Sequence, residues 1–515
     1  MTGPDADTPR KRLRINPGVL ALLAASLWPF ANFAYQNRGA YFSMDWLLVY
    51  FAIVLCLFGG IAAILSLLTR RPFARIAAPV AAFIILTYCY GAMKQAIPVP
   101  PNYIGYVWLA LAIVICTVIW FASRNRNALT AMFAAVLVLV ALPIAGYLEF
   151  IAVSPFASAD AATPPYLAAF VRKPNVYFMI LDAYARADTL KEALGFDNQP
   201  FIDELRGLGF FVPRSSVSNY PATNASVGSI LSLDYPAAAH RLDGVASAFR
   251  RVLLGHNVVV EKLKAEGYRY IVAPSGIWTK ISCGGTEDLC IEKTRAMEME
   301  RALVSLTPLQ LLSEKGAFRS LFRSTAEDYL EPDDLLRPLG DPLAHAPSPF
   351  FAVIHFGGVH DQIYESDCRK GEPGSVTLFD RNTAERYTDS VHCTNEQLVP
   401  LLKAIIARDP DAVILITGDH GPSIGLDRHL QPPIRPWTWG IHSPEDYRNQ
   451  YSTMTGIRLP ASCADMLSDD HYAVNDFRIV FACLSDTRPK LLANQAWYFY
   501  FDDERVVPVA PELMK

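Results

Sequence analysis

The sequence predicts a two-part chain: an α-helical membrane domain of five transmembrane helices, then an α/β domain whose mainly parallel sheet is covered by helices on both faces. Three observations carry this. Long apolar runs are confined to residues 1–152, continuous apolar runs alternate with helix-spaced segments in the rest, and all ten His, from His240 onward, fall in that second part. The chain is therefore divided between two solvents.

Length and composition agree. The 515 residues are 52% hydrophobic with a positive mean hydropathy, unusual for a soluble protein of that size. A formal net charge of −4 gives no reason for a nucleic-acid partner.

A helix crossing a bilayer needs about 20 mainly apolar residues. Five runs qualify: Pro17–Tyr35, Trp46–Leu68, Ile76–Met93, Tyr103–Phe121 and Leu129–Ile151. They lack the polar face of helices in a soluble bundle, and further spans follow the first too closely for a cleaved signal peptide. A transporter or channel would carry intramembrane charge, whereas only Asp45 and Glu149 occur here, at span ends.

Lys and Arg in the short loops set the orientation. Arg10, Lys11, Arg12, Arg14, Arg70, Arg71, Arg75, Arg124 and Arg126 fall on one side, against Arg38 and Lys94 on the other. The expectation is a multi-pass protein of a bacterial-type inner membrane with a cytoplasmic N-terminus. Five spans deliver everything after about Val153 to the periplasmic or extracellular side. The domains expected are 1–152 (membrane), 153–174 (a linker rich in Ala, Pro and Ser) and 175–515 (extracytoplasmic).

Cysteine usage fits export. Cys56, Cys89 and Cys116 lie in spans, where each is simply a small apolar residue. The six others belong to the exported part, where disulfides form. Sequential pairing is expected: Cys283–Cys290, Cys368–Cys393 and Cys463–Cys483. No Cys-x-x-Cys pair supports a zinc site instead.

In the second part, Asn175–Leu181, Tyr268–Ala273, Phe350–His355 and Asp411–Thr417 read as buried strands. Pro200–Leu208, Val258–Glu266 and Thr383–Arg408 read as helices, and Trp497–Phe501 with Val506–Val509 as a C-terminal hairpin. Ligands of such sheets bind at the carboxyl ends of the strands. One strand ends in Asp182, a second in His355 followed by His360, and a third in Gly418-Asp419-His420-Gly421. Carboxylates with imidazoles suit Zn²⁺ or Mn²⁺ and leave room for an oxyanion. A single strand-end Asp is more often a turn former; three such ends together favour a site.

These segments, with Thr223-x-x-Ser226, resemble the alkaline phosphatase/sulfatase superfamily in order and separation. Five spans joined to one exported catalytic domain look like the lipoteichoic acid synthases and the lipid A phosphoethanolamine transferases. The resemblance implies one divalent metal held by Asp182, Thr223, Asp419 and His420, with Thr223 as nucleophile at a helix N-terminus. Sulfatases of the formylglycine type begin with paired aspartates and carry a Cys/Ser-x-Pro-x-Arg segment. Here Ala183 follows Asp182 and that segment is missing from the nucleophile region, so formylglycine chemistry is disfavoured. One acid at this position also suggests one metal rather than two.

His360 is assigned either proton donation to a leaving alcohol or contact with the phosphoryl oxygens. His355 is assigned either substrate contact or strand packing, and Arg428 and His429 substrate contact against a solvated loop. Asn224-Ala225-Ser226 fits the N-glycosylation pattern but lies in the proposed site. The resulting expectation is a phosphotransferase that moves a phospholipid headgroup, phosphoglycerol or phosphoethanolamine, from a membrane phospholipid donor to an envelope glycan or lipid acceptor through a phosphothreonine intermediate. A phosphoester or sulfoester hydrolase and an inactive membrane scaffold are the alternatives.

Overall fold

The computed structural model describes residues 17–38, 44–98, 100–153, 167–236, 245–276, 281–293, 298–311, 326–337, 340–371, 381–422, 444–499 and 506–514. Two compact units divide them: the described parts of Met1–Arg38, Phe42–Ala152 and Met299–Arg323 form one, and those of Val153–Glu298 and Ser324–Lys515 the other.

The first unit contains α1 (Pro17–Gln36), α2 (Met44–Thr69), α3 (Phe73–Tyr88), α4 (Tyr90–Ala96), α5 (Pro101–Ala122) and α6 (Arg126–Val153). Four of these regions, Pro17–Gln36, Met44–Thr69, Tyr103–Ala122 and Arg126–Ala152, are long and apolar enough to cross a membrane. Small residues at the centre, Ala21 and Ala25 of α1 with Ala77 and Ala81 of α3, are fully buried and let the backbones approach. Leu48, Leu67 and Leu142 are instead well exposed, as side chains facing lipid tails are.

The third expected span, Ile76–Met93, differs from expectation. Its helix α3 has 16 residues, about 24 Å of rise against a hydrocarbon core of about 30 Å, and is interrupted at Cys89. Just past the interruption, the Gly91 amide donates to the Leu306 carbonyl at 3.2 Å. Leu306 follows a helix at Glu298–Ser305 whose Glu300 carboxylate accepts a hydrogen bond from Tyr50 of α2. A segment from the chain's later half, within the expected exported domain 175–515, thus packs within the helical unit. Its own residues give no sign of this, because the surface it meets exists only once the helices have assembled.

The second unit is built on six strands: β1 (Val176–Leu181), β3 (Arg269–Ala273), β4 (Leu289–Cys290), β5 (Phe350–Phe356), β6 (Val413–Gly418) and β7 (Thr455–Arg458), in the order β4-β3-β5-β1-β6-β7. Only the β6–β7 pairing is antiparallel. A short parallel pair joins β2 (Ser215–Val217) to β8 (Asp470–Tyr472), and β9 (Ala496–Phe499) pairs with β10 (Val506–Val509) as the expected hairpin.

Alternate strand residues feed opposite faces. Tyr177, Met179, Ile354 and Ile414 pack against Phe201 and Leu205 of α8 (Gln199–Gly207), beyond α7 (Ala187–Leu194), and against Tyr387, Leu398 and Leu402 of a long helix at Arg381–Arg408. Phe178, Ile180, Val353 and Leu415 pack against Ile230 of α9 (Thr223–Ser232), Phe249 of α10 (Val245–Leu253), Leu263 of α11 (Val258–Ala265) and Phe477 of a helix at Asp476–Leu484. Apolar residues on both faces of the strands are thus accounted for by helices on both sides. Phe170, within the expected linker, is already buried against Phe481 at 5.3 Å between ring centroids. The three disulfides form in the sequential pattern.

Candidate active site

The parallel register brings three strand ends to one edge. Ile180 pairs with His355 and Thr417, and Leu181 with Phe356 and Gly418, so Asp182 leaves β1 level with the ends of β5 and β6. Asp182 and Asp419 are fully buried. The Asp182 carboxylate lies 3.3 Å from His355 Nε2 through Oδ2 and 3.4 Å from His420 Nε2 through Oδ1. His420 Nε2 is also 3.8 Å from Asp419 Oδ2. Two overlapping triads result, Asp182-His360-His420 and Asp182-His355-Asp419, each with its ligand atoms within 4.8 Å of one another.

The ligand atoms of Asp419, His420 and His360 are aimed by a hydrogen bond elsewhere on the residue. Asp419 Oδ1 accepts from the Ala183 amide at 2.9 Å and from the His420 amide at 3.0 Å, while Oδ2 makes no hydrogen bond. His420 Nδ1 is 3.0 Å from the Gly421 carbonyl, which turns Nε2 to the cluster. His355 is fully buried with no hydrogen bond at either ring nitrogen. His360 is partly buried, sits 3.0 Å from Asp361 Oδ1 through Nδ1, and meets the His420 ring edge-on at 5.9 Å.

Buried polar groups are nearly always paired, so a carboxylate oxygen and an imidazole left open at one point mark a place for a cation. The donor set of carboxylate oxygen and imidazole nitrogen fits Zn²⁺ or Mn²⁺.

The Gly-Asp-His-Gly spacing has a steric reason. A Cβ at Gly418 would stand 2.3 Å from the Tyr184 carbonyl oxygen, and one at Gly421 would stand 2.0 Å from that of Asn449. Ala183 adopts a left-handed backbone (φ 60°), an unfavourable state for a residue with a Cβ. That conformation presents its amide to Asp419. Tyr387 holds the turn, donating from its hydroxyl to the Ala183 carbonyl at 2.7 Å and accepting from the Ala185 amide at 3.2 Å. The Tyr184 hydroxyl closes a buried ring with Asn198 and Asn395. Burial raises both tyrosine hydroxyls above their ordinary pKa, keeping them protonated as donors.

Thr223 begins α9 after the extended residue Ala222. Its hydroxyl is buried without a hydrogen-bond partner, as is that of Ser226 one turn on. Backbone hydrogen bonds link the strand-end edge to the segment that leads into this helix. Gln450 O accepts from the Gly421 amide at 2.7 Å, and Tyr451 O accepts from the Ser218 amide at 2.8 Å, shortly before Thr223. Arg428 and His429 lie outside the described residues. Of the two readings of His355, its place in the cluster is what the fold shows, while Tyr387 and Asn395 lie within the expected helix Thr383–Arg408. The strand-end position of His355 was legible, but the hydrogen bonds from the long helix to the Asp182 turn depend on tertiary packing.

The chain belongs to the sulfatase family, whose family model matches residues 174–444. Among solved structures it is similar to the integral membrane protein lipooligosaccharide phosphoethanolamine transferase A from Neisseria meningitidis. That match has 14% identity, covers 91% of this chain and 96% of that one, and has a TM-score of 0.40. The C-terminal periplasmic domain of EptC from Escherichia coli matches at 12% identity, over 67% of this chain and 96% of that one, with a TM-score of 0.41. That of phosphoethanolamine transferase EptC from Campylobacter jejuni matches at 13% identity, over 63% and 96%, with a TM-score of 0.40. No curated protein matches the chain.

Proposed function

We propose that this chain is a membrane-bound, metal-dependent phosphotransferase that moves a phospholipid headgroup, phosphoglycerol or phosphoethanolamine, to an envelope glycan or lipid acceptor through a phosphothreonine intermediate. The observation that carries the proposal is the buried, unpartnered Thr223 hydroxyl at a helix N-terminus whose entrance is tied to the Asp419-His420 edge.

Asp182, Asp419 and His420 would hold the metal, with His355 completing the buried side of the cluster. Bound there, a divalent metal supplies Lewis acidity, which lowers the pKa of a hydroxyl and offsets charge on phosphoryl oxygens. The first free amides of α9 favour the same charges. Thr223 Oγ, its proton released to water, attacks phosphorus, forming the Oγ–P bond and breaking the bond from phosphorus to the diacylglycerol oxygen. His360, less buried than the other imidazoles, donates the proton that oxygen needs. In the second half-reaction an acceptor hydroxyl attacks phosphorus and gives its proton to His360. The Oγ–P bond breaks and Thr223 Oγ takes back a proton from water.

A cytoplasmic N-terminus, with the α/β unit across the bilayer beside its lipid donor, completes the reading. Reporters fused at Arg126 and at the C-terminus should give opposite signals; equal signals exclude that topology. The direct test is incubation of the purified protein with headgroup-labelled phospholipids, with and without metal. Metal-dependent release of diacylglycerol is expected, with the label on an acceptor. Label appearing only as the free headgroup phosphate would make the chain a hydrolase, and no release at all a scaffold.

A further inference from the structure

Unpaired polar atoms at the catalytic edge extend beyond the groups that suit a metal. Asn449 and Gln450, at the end of the helix Pro444–Tyr451, are 1% and 2% exposed, and none of their four side-chain amide atoms has a hydrogen-bond partner. The hydroxyls of Ser452 and Thr453 continue the same unpaired row. Ordinary interiors pair such groups almost without exception, and carboxamides left unpaired are costly. Two in succession therefore point to a polar group that completes them.

Their place and chemistry say which group. The Gly421 backbone, one residue past His420, packs on them: its amide donates to the Gln450 carbonyl at 2.7 Å. Their side chains are as enclosed as that of Thr223, which is 4% exposed, and the next residue, Tyr451, accepts from the Ser218 amide at 2.8 Å on the segment that leads to α9. A phosphoryl anion is best met by cations and amide donors, which the cluster and α9 supply. A carboxamide is neutral and offers two donors beside an acceptor, the match for a hydroxyl that both gives and receives a hydrogen bond.

We propose that Asn449 and Gln450 form the acceptor subsite, hydrogen-bonding the hydroxyls of a sugar headgroup as one of them approaches the phosphoryl group on Thr223. This rests on the phosphotransferase reading above.

Maltose serves as the probe. The full chain, purified in a detergent without sugar headgroups and loaded with Zn²⁺, is titrated with maltose, and binding is read as a rise in Tm. Maltose should stabilise the unmodified protein. Asn449→Leu and Gln450→Met keep side-chain bulk but remove hydrogen-bonding atoms, and should weaken the response roughly tenfold, the size of one lost hydrogen bond. Their Tm without maltose should be unchanged or higher, since an apolar group replaces an unpaired polar one. Asn449→Asp, which keeps the shape and cannot donate, should also weaken binding.

An unmodified protein that maltose does not stabilise overturns the subsite, as do variants that bind maltose equally well. So does a lower ligand-free Tm in all three variants, which would make the amides structural. Diacylglycerol release from labelled phosphatidylethanolamine, measured on the same proteins, separates this proposal from the one it rests on. Maltose binding that is lost in the variants, in an unmodified protein that releases diacylglycerol, supports the subsite and the reading it rests on together. Maltose binding through these residues in a protein that releases no diacylglycerol leaves the subsite standing and removes only the phosphotransferase reading.

Discussion

Two polar clusters of the α/β unit enclose carboxylates to different ends. At the sheet edge, Asp182, His355, Asp419 and His420 face one another, yet Asp419 Oδ2 and both His355 ring nitrogens make no hydrogen bond. On the far side of the His360 loop, opposite charges meet inside the protein. Asp334 pairs with Lys293 at 2.8 Å and lies 3.9 Å from Lys370, and Glu331 takes a hydrogen bond from Tyr364 at 3.4 Å. The second cluster supplies its own counter-charges, so it needs no ligand to complete it. The first brings carboxylates and imidazoles together with no lysine or arginine beside them among the described residues, an arrangement that a bound cation would stabilise. Counting carboxylates would not distinguish the two; asking what balances each one does.

The largest expected effect tests whether the sheet edge is catalytic at all. Thr223→Ala should abolish the covalent intermediate and lower turnover by a factor on the order of 10³ or more, with Thr223→Ser retaining part of the activity. Intact-mass analysis after incubation with phospholipid reads the intermediate directly. Normal turnover by Thr223→Ala would leave the fold and family standing without this mechanism.

Next comes the metal. Asp419→Asn keeps the hydrogen-bonding shape but loses the charge, and should weaken metal binding by more than the roughly 100-fold that outer-shell losses cause. Elemental analysis of the purified protein checks it, and also reads whether the two triads hold one ion or two. Equal metal content in the variant and the unmodified chain would show that the edge binds no metal through Asp419.

A smaller effect is expected where the edge is braced rather than built. Tyr387→Phe removes the hydroxyl bound to the Ala183 carbonyl and the Ala185 amide and should lower metal affinity about tenfold, leaving the acceptor KM unchanged. A change in KM alone would mean that Tyr387 contacts substrate rather than holding the turn.

The smallest effect on activity belongs to the self-contained cluster, which is read through stability instead. Burial, partly offset by Lys370, pushes the Glu331 carboxyl up from its ordinary 4.5 to about 8, with Asp334 raising it further and Lys293 lowering it. A carboxyl raised in the folded state stabilises fully below its unfolded pKa, and that contribution is lost as pH rises through the folded value. Between about pH 4.5 and 8 the unmodified protein should therefore lose stability relative to Glu331→Gln. Parallel Tm-against-pH curves for the two would show that Glu331 titrates normally.

How much of this was legible in the sequence differs by region. The strand ends carrying Asp182, His355 and Asp419-His420 could be placed because β1, β5 and β6 are continuous apolar runs, and a parallel sheet aligns the carboxyl ends of such runs. The helix after Thr223 and the three disulfides could be placed for equally local reasons. The segment at Glu298–Ser305 could not, since a short helix with charges at its start has no local mark of the unit it joins. Neither could the break at Cys89, in a region whose apolar residues run on unchanged, or the role of Asn449 and Gln450, which depends on what fails to surround them.

By itself, then, the sequence determined the division between lipid and water, the mainly parallel sheet and the edge where its polar residues collect. These follow from hydrophobicity and from the period of side chains along a strand, both local properties of the chain. Only the tertiary structure decided which oxygens and nitrogens of that edge are already satisfied and which are left open. That depends on hydrogen bonds such as those between Ala183 and Asp419, or Tyr387 and Ala183, whose partners lie some two hundred residues apart and meet only in the folded protein.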